Sequence, residues 1–139
     1  MRVELTRIEE PFHFVAYNES GQEVHMDASP EMGGRNRGMR PMEMILAALA
    51  GCSSVDVVHI LQKQRQRIES YRVIVDAERE TGKEANLFRN IHIHFELKGD
   101  IEEEKLMRAI SLSIEKYCSV AKILEKTSKI SYSYKVAKK

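Results

Sequence analysis

Cys52 and Cys118 are the only two cysteines in the chain, and a thiolate is both a nucleophile and a redox centre. Cys118 precedes a short helical piece, Val120 to Lys126. The dipole and free N–H groups at such a helix start would stabilise a thiolate and lower its pKa. Cys52 lies well inside a long apolar segment and gets no such help from its own helix. Asp56, one turn on, would raise its pKa if both were charged and in contact. Activation of Cys52 therefore calls for a cation from elsewhere, and Arg35, Arg37 and Arg40 on the preceding loop are the nearest in sequence. The plainer reading is two small buried hydrophobes, since cysteine is among the most buried residue types.

The remaining candidates carry less. His92 and His94 alternate along a predicted strand and share one face, opposite Ile91, Ile93 and Phe95. Two ligands without a third make a poor zinc site, so a solvated sheet face is expected, with no metal and no cofactor. His59 follows Cys52 by two turns, roughly 10 Å along the axis, too far to act directly as its base. Asp56 is an acceptor that would pair with a buried hydroxyl or an arginine. Tyr132 and Tyr134 share a strand face and belong to the sheet or to a dimer contact.

The element that must position Cys52 is the stretch Pro41 to Arg65. Proline suits the first helical position, where its missing N–H would be unpaired anyway, and Glu43 puts a negative charge in the first turn. Leu46, Leu49, Val57, Ile60 and Leu61 follow helical spacing, while Ala47, Ala48, Ala50 and Gly51 make the opposite face small rather than polar. A helix apolar on nearly every side is expected to be a buried core helix. Ser53, Ser54, Asp56 and His59 interrupt the apolar run and argue against a membrane span. Lys63 to Arg67 reads as a solvated helix tail.

Before this helix, Arg2 to Ile8, Phe12 to Tyr17 and Gln22 to Met26 read as half-buried strands in an antiparallel meander, with turn chemistry at Asn18-Glu19-Ser20-Gly21. Asp27 to Arg40, with Gly33, Gly34, Gly38 and three arginines, reads as a mobile loop feeding the helix. After it come paired strands over Tyr71 to Glu80 and Phe88 to Lys98. A helix over Ile101 to Tyr117, the short piece after Cys118 and a last strand over Ile130 to Val136 complete the chain. The order βββ-α-ββ-αα-β predicts an α+β fold, with antiparallel sheets and helices on one side.

The 139 residues form one domain, large enough for a core without metal or disulfide staples. Charged residues make up 31% and the formal net charge is +1, with no clustered basic surface for nucleic acid. The charged, alternating N-terminus shows no signal peptide, so a cytoplasmic location and no membrane association are expected. A reducing compartment disfavours a permanent structural disulfide, so a bond between the cysteines would be redox-active.

The run PMEMILAALAGCSSVDVV around Cys52, followed by EKYCSVAKILEK around Cys118, resembles the OsmC/Ohr family. The meander before the first motif and the hairpin between the two also match, so the likeness covers nearly the whole chain as a single OsmC-like domain, residues 1–139. The resemblance implies an intertwined homodimer with central helices against curved sheets and both cysteines at the interface. It implies thiol-dependent reduction of organic hydroperoxides, with Cys52 peroxidatic and Cys118 resolving, and an external dithiol as reductant. In the family an arginine steadies the thiolate and a glutamate ten residues before the first cysteine clamps that arginine. Here that position is Met42, and Glu43 lies one residue closer, turned by about 100° on a regular helix. Ser119 replaces the proline that many relatives carry after the second cysteine. Among the loop arginines Arg37 is our choice. The alternative is a protein of the same fold that binds an apolar small molecule at the dimer interface, its cysteines incidental.

Overall fold

The computed structural model describes Met1–Lys138. The chain forms two compact units, Met1–Ile45 and Leu46–Lys139. In the first, β1 (Val3–Glu9), β2 (His13–Asn18) and β3 (Glu23–Met26) form an antiparallel sheet in that order, as the alternation predicted. The Asn18 side chain accepts the N–H groups of Ser20 and Gln22 and shapes the turn between β2 and β3. Val15 and Ala16 on the central strand are buried. β1 departs from its predicted half-burial: Val3, Leu5 and Ile8 are all exposed, because no layer of its own unit covers this edge strand.

The segment between β3 and the long helix is more ordered than its glycines suggested. Asp27, buried, accepts backbone N–H bonds from Ala28 at 2.7 Å, Arg35 at 3.2 Å and Arg37 at 3.1 Å. Its own N–H bonds the Met39 carbonyl, so the loop closes around one carboxylate. Gly38 passes so near the backbone of His25 and Met26 that a Cβ there would collide.

Helix α1 (Pro41–Lys63) begins in the first unit and continues into the second. Glu43 reaches back to accept the Arg40 N–H at 2.9 Å, satisfying an otherwise unpaired donor. Its fully buried side chains are Leu49, Ser53, Val57 and Leu61, a single stripe at four-residue spacing. The expected all-round burial is not met within one chain, where Val55 is 71% exposed. By length and composition alone α1 would also suffice to cross a membrane, with mean hydropathy 1.9, since its polar interruptions are too few to offset its aliphatic residues. Core helices pass the same test.

In the second unit β4 (Arg67–Arg79) and β5 (Phe88–Asp100) form the expected antiparallel hairpin. Ile91, Ile93, Phe95 and Leu97 face the core alternately, each contributing on the order of 1.5–3 kcal/mol by leaving water. The last strand, β6 (Lys129–Ala137), pairs with β5 in parallel, which corrects the expectation of purely antiparallel sheets. The cause is the intervening crossover, which returns the chain to the starting end of β5. That crossover is not one helix to Tyr117 as predicted. It consists of α2 (Glu103–Leu112), a π-helical turn over Ser113–Tyr117, and α3 (Ser119–Leu124).

Candidate functional site

Cys52 occupies the middle of α1, one residue from the buried stripe, and is half-buried. Cys118 lies between the π-turn and α3, is fully buried, and caps α3 by accepting the Ala121 N–H at 3.4 Å. Both are free thiols, and the Cys52 side chain lies near enough to Cys118 to help raise its pKa.

The predicted lowering of the Cys118 pKa is overturned. Burial pushes the thiol up from 9.0 to about 11; the Ala121 N–H opposes this, and the hydrogen bond and charge of the adjacent Cys52 add to it. The backbone donors of Ala121 and Val120 at a six-residue helix are outweighed by the loss of solvent. The proton thus stays on Cys118 at neutral pH.

Ser53, Ser54 and Asp56, which follow Cys52, each have partners. Ser53 donates to the carbonyls of Leu49 and Ala50, a back-bond that keeps a buried hydroxyl satisfied inside a helix. Ser54 accepts from Tyr71 of β4 at 2.9 Å, and burial raises the Tyr71 phenol to about 12. Asp56 accepts from Ser113 at 2.9 Å, the buried-hydroxyl partner expected of it. Ser113 opens the π-turn, and its carbonyl accepts the Cys118 N–H at 2.7 Å. Thus the segments carrying the two cysteines meet through Ser113. Sequence reasoning placed Ser113 only within a helix and Tyr71 only in a strand, because nothing local to either residue marks a partner so distant in sequence.

Of the other predicted site residues, Glu43 holds the Arg40 backbone and Arg37 lies 3.6 Å from Glu9, both within the first unit. Arg40 donates to Asn36. His59 lines an open hollow of about 500 Å³ with Ser54, Val55, Val58, Gln62 and Tyr71, on the exposed face of α1. His92 and His94 do share a face of β5. His92 bonds Ser131 and Ser133, His94 bonds Ser133 at 2.7 Å, and no group of three potential metal ligands exists among the described residues.

The family model described as OsmC-like protein matches residues 33–133. Protein YhfA of Escherichia coli (strain K12) is 41% identical over 124 residues, covering 88% of this chain and 89% of YhfA. A hypothetical protein from Aquifex aeolicus VF5 superposes with TM-score 0.85 at 31% identity over 99% of this chain and 96% of its own. The organic hydroperoxide resistance protein OhrB of Bacillus subtilis shares the fold, with TM-score 0.68 at 14% identity over 97% and 98% of the two chains.

Proposed function

This chain belongs to the OsmC-like protein family, and on that footing we propose that it reduces organic hydroperoxides, with Cys52 attacking and Cys118 resolving. The nearness of the two cysteine side chains, close enough for Cys52 to raise the Cys118 pKa, carries the reading. The Cys52 thiolate attacks the terminal peroxide oxygen and the O–O bond breaks. The sulfur keeps that oxygen as a sulfenic acid, and the departing alkoxide takes a proton from water to become the alcohol. Cys118 then displaces the sulfenic hydroxyl, which leaves as water with the Cys118 proton, and a disulfide remains. An external dithiol returns both sulfurs to thiols by supplying two electrons and two protons.

Arg37 is our choice for the cation that favours the thiolate, with Glu43 to steady it. In the isolated chain each is engaged elsewhere, so this part of the reading requires both to exchange partners. A second copy of the chain completes it as a homodimer. Exposed Val55 on α1, and Val3 and Leu5 on β1, support such a partner by leaving apolar faces uncovered. The reducing cytoplasm suits two free thiols.

The test uses cumene hydroperoxide, with dithiothreitol standing in for the dithiol. The protein should consume peroxide catalytically, and Cys52→Ser should not; equal rates for the two would sink the reading. A second reading, capture of an apolar small molecule, is favoured by the hollow beside Val55 and Tyr71, whose volume is that of ordinary ligand sites. It requires a ligand in solvent extracts of the purified protein, and blank mass spectra of those extracts would remove it.

A further inference from the structure

We infer that Ser113 and Asp56 act as a clamp that sets the reach of Cys118 onto Cys52, making them positioning residues for disulfide closure. The inference rests on the peroxidase reading above, and concerns its second step alone.

Ser113 is fully buried and its polar atoms are divided between the two cysteine segments. Its carbonyl accepts the Cys118 N–H at 2.7 Å. Its hydroxyl donates to Asp56 Oδ2 at 2.9 Å, with the carbonyl of Ser53, the residue next to Cys52, at 3.3 Å. A continuous path of hydrogen bonds therefore joins the backbone beside one sulfur to the backbone of the other. The bond to the carboxylate is charge-assisted and among the stronger kinds.

The clamp also explains why the crossover contains a π-turn. Bonds from residue i to i+5 are rarely adopted and recur as single turns at functional sites. Relaxation of this turn to an α-helix would rotate Cys118 by about 100° relative to α2. The Ser113 carbonyl bond defines the turn, and the Ser113 hydroxyl ties it to α1 through Asp56. Closure needs the Cys118 sulfur to approach the sulfenic sulfur of Cys52. One S–S bond forms, the S–O bond breaks, and water leaves with the Cys118 proton. Cys118 is oxidised as the sulfenic sulfur is reduced.

The experiment follows both steps with cumene hydroperoxide in Asp56→Ala, Asp56→Asn and Ser113→Ala. Asp56 is only half-buried, so its variants should keep the fold. Sulfenic acid formation on Cys52 should slow by no more than about threefold, while closure slows about tenfold to a hundredfold, the usual penalty for a misplacement near 1 Å. Sulfinic acid on Cys52 should then accumulate. Asp56→Asn, whose amide oxygen still accepts the Ser113 proton, should restore closure. Unchanged closure in Asp56→Ala and Ser113→Ala, or an equal fall in both steps, overturns the clamp. If wild-type Cys52 never forms a sulfenic acid, the peroxidase reading has failed instead. Diamide oxidation of the reduced pair then decides the clamp alone, expected slower in Asp56→Ala than in Asp56→Asn and refuted by equal rates.

Discussion

The half-buried Cys52 adds to the burial that pushes the Cys118 thiol up to about 11, so Cys118 keeps its proton at neutral pH. Only about one molecule in ten thousand then carries a Cys118 thiolate at pH 7. Disulfide closure should therefore accelerate about tenfold per pH unit between pH 7 and 10 and level off near pH 11. Stopped-flow measurement of closure after a single peroxide pulse checks this. A rate flat over that range would mean that Cys118 ionises far more easily than its burial implies.

Alkaline stability should fall for the same reason. Cys118 rises from 9.0 to about 11 and Tyr71 from 10.0 to about 12, so the folded chain binds both protons more tightly than the unfolded chain. The stability they contribute is complete below pH 9 and is lost as pH rises through 11 and 12. Urea midpoints should drop across that window, and Cys118→Ala with Tyr71→Phe should flatten the slope.

Asp27 works in the opposite direction. Desolvation would raise its pKa, but the N–H groups of Arg37, Arg35 and Ala28, with nearby His13, hold it below 3.8. Its contribution is present above that value and disappears as pH falls through the lower folded value. Asp27→Ala should speed amide exchange at Ala28, Arg35 and Arg37 and open the loop to proteases, and unaltered protection there would contradict its organising role.

Val55 tests the proposed pairing of chains. At 71% exposure in one chain, Val55→Arg should change monomer stability by no more than about 0.5 kcal/mol. If α1 meets a second copy there, a buried unpaired charge should turn dimer into monomer in sedimentation experiments. A variant that still sediments as the wild type would place the partner elsewhere.

The order of elements was legible because strands announce themselves by alternation and α1 by its proline, its acidic first turn and its period. Strand direction was not, since the pattern of Ile130 to Val136 is the same whichever way the strand runs. The burial of α1 was overread: Ala48, Gly51 and Val55 are apolar, yet a lone chain leaves all three exposed. Both cysteines were legible as a pair of motifs. The proton affinity of Cys118 was not, because it depends on the sulfur and hydrocarbon that tertiary packing brings around it. Ser113 escaped notice because a serine at the end of an amphipathic helix has no local signature of a bond to Asp56.

The π-turn at Ser113–Tyr117 behaves as a one-residue slip in the helical count. Residue tallying on a uniform cylinder would aim the second sulfur over a quarter-turn away from where the chain delivers it. Deleting a single residue anywhere between Ser113 and Tyr117 should thus act like misaligning a key in its lock, leaving every neighbouring strand seated while the two sulfurs no longer face each other.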